Sequence, residues 1–167
     1  LAVRSGARTR GLLLALAWNV TGFVAAGLWL PGAGGDSVAG LVTTLLGFTW
    51  WAFVGLLGLP SVSRQASHAI DAAVVDAGVP AADLRGALAT LDRMQDDEPR
   101  RPGFVEAIFH PVPSLQRRRA VAAGAPGAWH AARMALFLSW ACAGILARAV
   151  HCNVGRPELW VLLPTDA

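Results

Sequence analysis

Two stretches of the chain carry no charged residue, and the rest of the sequence is arranged around them. Residues 11–30, GLLLALAWNVTGFVAAGLWL, and residues 38–59, VAGLVTTLLGFTWWAFVGLLGL, are almost unbroken apolar runs. About twenty helical residues span roughly 30 Å, the thickness of a bilayer's hydrocarbon core. Pro31 and Pro60 follow the two runs and are expected to stop them. The turn between them, PGAGGDS, is so short that the pair is expected to form an antiparallel transmembrane hairpin. The first run is too long for a signal-peptide core, and no small-residue cleavage site precedes the second, so it reads as retained. Asn19-Val20-Thr21 has the form of a glycosylation sequon, but within a span it is out of reach and is set aside.

Residues 61–124 form the one polar region of any size, with arginines from Arg64 to Arg119. Within it, residues 63–77 read as a helix, because Ala66, Ala69, Ile70, Ala73 and Val74 recur at helical spacing and Gly78 suits a left-handed cap. Residues 80–95 read as a second helix with Leu84, Leu88, Leu91 and Met94 on one apolar face. DDEPRRPG is a loop, and EAIFHPVPSLQRRR follows it. A third span is expected within 125–150, with Arg133 and Arg148 snorkelling to opposite interfaces. A stripe of small residues four apart, Ala131, Ala135, Ser139, Ala143 and Ala147, would let a partner helix approach closely. The domain reading is an N-terminal arm and hairpin over 1–60, a helical cytoplasmic region over 61–124, the third span, and a non-cytoplasmic tail over 151–167. In that tail, ELWVLLP is placed on the membrane surface.

Composition agrees with a membrane setting. The chain is 54% hydrophobic and 15% charged, with mean hydropathy +0.48, where soluble domains carry about a quarter charged residues. All 14 basic residues are arginine. The sequence pI of about 10.1 does not point to nucleic acid, because the arginines flank apolar segments and no zinc-finger or stacking module is present. Arg4, Arg8 and Arg10 before the first run place the N-terminus on the cytoplasmic side, in a membrane read as the bacterial inner membrane. Trp29 falls near an interface, while Trp50 and Trp51 fall mid-span, facing lipid or another helix. Cys142 and Cys152 would lie roughly 15 Å apart on one helix, too far for a disulfide, and are read as unpaired.

Candidate chemistry is sparse. The histidines are His68, His110, His130 and His151; no two are four apart, and there is no HExxH, GxSxG or phosphate-binding loop. The two clear spans hold no acid, which argues against ion translocation. His68 and Asp71 share a helix face and read first as a solvent-facing pair, second as an orienting hydrogen bond or part of a metal site. No cofactor is expected. His130, or less directly His151, is the one candidate ligand for haem or a pigment.

The middle of the chain, roughly residues 11–119, resembles the HtpX-type and CAAX-prenyl-protease-type membrane zinc peptidases. The resemblance rests on a hairpin, then SRQASHAID at 63–71, then amphipathic helices, then HPVPSLQRR. It implies that Asp71 corresponds to an aspartate that supports a zinc histidine. It also implies that His110 and Pro111 are the family's His-Pro pair, and that Arg118 is its arginine if Val112 and Pro113 are inserted. The family's glutamate ligand falls on Ser67, whose neutral hydroxyl is a poor zinc ligand, and the HExxH helix has no counterpart here.

The expectation is therefore an all-α integral membrane protein with a transmembrane hairpin, a small helical cytoplasmic domain and a third transmembrane helix. Its expected role is that of a non-catalytic accessory or scaffolding subunit of a larger membrane assembly, with respiratory and photosynthetic complexes as candidate hosts. It would pack its spans against other membrane subunits and present Arg117, Arg118 and Arg119 to anionic lipid headgroups. The competing expectations are a degenerate or N-terminally incomplete zinc peptidase relative, and a pigment- or haem-binding subunit.

Overall fold

The computed structural model describes residues 6–95, 97–119 and 127–153; of residues 119 and 149–153 only the backbone is described. The surface segment and tail expected beyond residue 153 lie outside the described residues. Among the described residues every regular element is an α-helix. These are α1 (Ala7–Trp29), α2 (Val38–Asp76), α3 (Ala81–Gln95), α4 (Gly103–Phe109), α5 (Leu115–Arg119) and α6 (Ala131–Asn153). Three of them, α1, α2 and α6 over Ala131–Arg148, are long and apolar enough to cross a membrane by length and composition.

Pro60 does not stop the second apolar run. α2 is one helix of 39 residues with Pro60 inside it, so the helix expected over 63–77 is its far end. A mid-helix proline removes one backbone donor and crowds the preceding turn, but surrounding packing can hold the helix through that defect. Here Pro60 is fully buried, and beyond it Ser63, Ala66, Ser67 and Asp71 are buried as well. The helix ends where the sequence indicated: Gly78 takes φ +92°, and the amides of Gly78 and Val79 donate back to Val75 and Val74. The Pro80 carbonyl then accepts the amides of Asp83 and Leu84 and opens α3. Only part of the apolar face of α3 is covered. Leu88 is buried, whereas Leu91 and Met94 are exposed.

The described chain divides into two compact units, one within residues 1–15 and 56–134, the other within 16–55 and 135–167. In the second unit, Trp18 stacks on Trp51 with ring centroids 4.6 Å apart, and Phe23 stacks on Phe48 at 4.0 Å. Trp51 Nε1 also donates to the Trp18 carbonyl at 2.8 Å. Partners rise in number on α1 as they fall on α2, so these segments run past each other in opposite directions. Two glycines make room for the indoles: a Cβ on Gly22 would enter the Trp51 ring, and one on Gly55 would enter Trp18.

The contact with α6 in this unit is polar. Asn19 Nδ2 donates to the Ala135 carbonyl at 3.2 Å, and Ser139 Oγ lies 2.8 Å from Asn19 Oδ1, to which it can donate. Both side chains are buried. Of the small-residue stripe on α6, Ala131, Ala135 and Ser139 are buried, Ala143 is half-buried and Ala147 is exposed. Leu28, Trp29, Trp50, Phe53, Phe137 and Trp140 are each more than half exposed. Trp50 thus faces outward while its neighbour Trp51 packs on α1.

Replacing Gly22 with Leu should destabilise the protein by about 1–3 kcal/mol through overpacking and reduce the near-ultraviolet circular dichroism of the stacked indoles. Gly27→Leu, where nothing lies within 4 Å of the added carbon, should leave both signals close to those of the parent.

Candidate functional site

In the first unit, residues 127–130 pass between α1 and α2 at backbone contact. A Cβ on Gly127 would collide with the Ala66 amide and the Val62 carbonyl, and one on Gly11 with the Trp129 carbonyl. The close approach is fixed by hydrogen bonds. Ala128 N–H donates to Val62 at 3.3 Å, Trp129 N–H to Ala7 at 3.0 Å, and Arg10 Nε to the Gly127 carbonyl at 3.2 Å. α6 then begins under an acceptor from another helix: the Ser63 hydroxyl, buried on α2, takes the Ala132 amide at 3.1 Å. This satisfies one of the unpaired donors that every helix start presents. His130 precedes α6 with φ +57° and rests against Trp129, ring centroids 4.0 Å apart.

Beyond Ser63, α2 offers Arg64, Ser67 and Asp71, spaced three and four apart and so neighbours along the helix surface. Arg64 Nη1 lies 2.8 Å from the Glu106 carbonyl and 3.0 Å from those of Ala107 and His110. They lie at the C-terminal end of the short α4 and at its cap, His110, where a cation is favoured; the Glu106 carbonyl also accepts the His110 amide at 3.3 Å. Arg118 grips Asp71 with two bonds, Nε to Oδ2 at 2.8 Å and Nη2 to Oδ1 at 2.6 Å. Such fork-to-carboxylate pairs are strong and directional. Asp71 is 2% exposed, so it is not the solvent-facing partner of His68 that the spacing favoured. Spacing within α2 identifies neighbours on that helix, but the partner arrives from α5.

The motif residues come together. Ser67, His110, Pro111 and Arg118 all line one cavity of about 330 Å³, and Asp71 is joined to it through Arg118. Their chemistry is structural in character. The Ser67 hydroxyl turns to the Ser63 carbonyl at 3.3 Å, and both oxygens of Asp71 are held by Arg118. His110 engages Arg64 through its carbonyl, leaving its ring beside the cavity. Among the described residues no three His, Cys, Asp or Glu side chains converge as a metal site would need.

The three consecutive arginines are not equivalent. Arg118 is committed to Asp71, Arg117 is half exposed with Nε 3.5 Å from Glu106 Oε1, and the Arg119 side chain lies outside the described residues. Glu106 itself is fully buried, and neither of its carboxylate oxygens has a hydrogen-bond partner. Sequence reasoning passed over Glu106 and Arg64. The available signal was an acid inside the apolar run FVEAIF, which cannot be buried cheaply without a cation nearby. Cys142 is a free, half-buried thiol; the side chains of Cys152 and His151 lie outside the described residues.

His130 sits just ahead of the third candidate span. Partial burial, and then the positive charge of Arg133, hold its pKa below the usual 6.5. No family model, curated protein or solved structure matches this chain.

Two outcomes follow from this geometry. Asp71→Ala should cost about 3 kcal/mol, because it strands Arg118 in a largely buried position. The double change Asp71→Leu with Arg118→Met should recover much of that loss, as a thermodynamic cycle on melting in detergent would record. As for pH, the folded state binds the His130 proton less readily than the unfolded chain. Stability should therefore be level above about pH 6.5 and fall as pH drops from there toward the lowered folded value. His130→Asn, which tolerates the left-handed backbone, should make that limb of a melting-temperature profile shallower, with His68, whose pKa burial also lowers, supplying the remainder.

Proposed function

We propose that this chain is a non-catalytic accessory subunit of a membrane assembly, built on the frame of a membrane zinc peptidase whose site has become a structural lock. The reading rests chiefly on Asp71, the residue matched to the family's zinc-supporting aspartate. Both of its oxygens are occupied by Arg118. Ser67, at the position of the family's glutamate ligand, is buried and bonded to its own helix. Supporting the membrane setting are the three apolar helices of spanning length and the exposed tryptophans, leucine and phenylalanines on them.

In this reading α1 and the first part of α2 form a transmembrane hairpin with the N-terminus in the cytoplasm, on the side to which the arginines of 61–119 also belong. The outward-facing aromatic residues and the exposed end of the α6 stripe are the surfaces offered to lipid and to partner helices. Arg117 contributes to attraction for anionic headgroups.

The convergence of Ser67, His110, Pro111 and Arg118 on one cavity keeps an active peptidase as the second reading, with the remaining ligands supplied by chain outside this sequence. One preparation separates the two. The natural full-length protein, solubilised in mild detergent, is expected to elute with stoichiometric partner subunits and without zinc. Exclusive recovery as a monomer would sink the accessory role. One equivalent of zinc with metal-dependent cleavage of unfolded membrane protein would replace it with the peptidase.

A further inference from the structure

The short helix α4, GFVEAIF, divides by face. At 3.6 residues per turn, Phe104, Ile108, Val105 and Phe109 fall within an arc of about 140°. Phe104 and Phe109, at the edges of that arc, are 71% and 69% exposed. Val105 and Ile108, between them, are half-buried. The other side of the helix is polar. Glu106 is fully buried there, with Arg117 Nε 3.5 Å from its Oε1. Arg117 also runs beside Gly103, where an added Cβ would lie 3.1 Å from its Nη2. Two large phenylalanines thus point outward from a helix whose charged neighbours all sit behind it.

The place where α4 is fastened says what surrounds it. Leu57, Ser61 and Arg64 are four and three residues apart and so form one row on α2. Leu57 belongs to the uncharged run that ends at Leu59 and is 46% exposed; Ser61 is exposed too. Helical side chains lean toward the N-terminus, and Arg64 does so. Its Nη2 donates to Ser61 Oγ at 3.0 Å, while Nη1 holds the carbonyls of Glu106, Ala107 and His110. The C-terminal end of α4 is therefore held close to Ser61, on the side of α2 where Leu57 faces outward. The rise from Leu59 to Ser61 is only about 3 Å at 1.5 Å per residue. A bilayer that covers Leu57 has its boundary at the level where α4 is docked.

We infer that α4 is an interfacial anchor, resting on the membrane surface with Phe104 and Phe109 inserted where headgroups meet acyl chains. An apolar arc wider than about 100° opposite a charged side is the pattern by which a helix lies in that plane. Glu106 and Arg117, on the other side, stay out of the hydrocarbon. Anchored in this way, α4 holds the His-Pro segment and α5, which follow it in the chain, over the bilayer surface. The inference rests on the membrane setting of the proposed function and not on the accessory role.

The test uses the full chain with Cys142→Ala and Cys152→Ala, reconstituted in vesicles of phosphatidylethanolamine and phosphatidylglycerol. One nitroxide label per preparation is attached at Phe104→Cys, Phe109→Cys, Leu46→Cys or Arg93→Cys. All four side chains are exposed in the fold, so each labelled chain should melt with the unlabelled one. Power saturation by oxygen, which concentrates in hydrocarbon, and by a water-soluble nickel chelate reads the depth of each label. Oxygen should dominate at 104 and 109, at a depth of about 5–10 Å into the headgroup and acyl boundary. It should dominate more strongly at 46, inside the second uncharged run, while nickel dominates at 93. Nickel dominance at 104 and 109 with oxygen dominance at 46 overturns the anchor and leaves the membrane setting standing. That result holds whether the two phenylalanines face water or need a protein partner that the vesicles lack. Nickel dominance at 46 as well overturns the anchor and the membrane setting together.

Discussion

Arg118 and Asp71 stand far apart in sequence, and the pair they form, 2.6 and 2.8 Å across its two bonds, decides how the polar middle of the chain is arranged. A carboxylate buried to 2% exposure is tolerable only with a cation and well-aligned donors in reach. The sequence SRQASHAID therefore commits α5 to a fixed position against α2. Arg64, two helical turns back on α2, sets the second point of attachment by binding carbonyls at the C-terminal end of α4 and of its cap, His110. Between these two attachments the His-Pro segment, with its two prolines beyond His110, has little freedom. The backbone of 127–130, lodged against Val62 and Ala7, closes the same unit from the other side.

All of this requires α2 to continue past Pro60. Were the helix to end there, Ser63, Arg64, Ser67 and Asp71 would have no common axis, and the cap on α6, the tie to α4 and the grip of Arg118 would lose their shared frame. One missing rung at Pro60 is a small cost beside three sets of tertiary bonds. Burial of the proline and of the residues after it is consistent with that balance. In the other unit the polar groups are fewer but follow the same rule. Asn19, Ser139 and the Trp51 indole each bond to a neighbouring helix, and in an apolar setting these few bonds select one rotation of each helix over the alternatives that apolar packing alone would permit.

The long elements were legible because they depend on local properties. Uncharged runs of spanning length gave α1 and the first half of α2, a shorter apolar run bounded by Arg133 and Arg148 gave most of α6, and Gly78 and Pro80 marked a boundary through backbone chemistry that acts within a few residues. Pro60 was misread because its local effect is outweighed by contacts made with residues some seventy positions later. The candidate site divides along the same line. Asp71, His110, Pro111 and Arg118 could be singled out by motif, but the bond between Asp71 and Arg118 could not be read from spacing, and His68 drew attention as the nearer partner. Asn19 appeared as part of a sequon and was set aside; its weight as a lone amide in an apolar helix was the better signal. Arg64 acts through backbone carbonyls, which leave no pattern along the chain, whereas Glu106 left one mark, an acid inside the apolar run FVEAIF.

Glu106 is the second buried acid of this unit. It is fully buried without a hydrogen bond to either oxygen, a state that a carboxylate occupies only where neighbouring charge offsets its desolvation. Arg117, 3.5 Å away and half exposed, supplies part of that charge, and Arg64, fixed on the carbonyls of the same helix, lies on its other side in sequence terms. The acid thus ties the first of the three consecutive arginines inward as Asp71 ties the second. A run that reads as a continuous basic patch is, in the folded unit, drawn toward two buried acids. Charge density along the sequence and charge density in space are different quantities here.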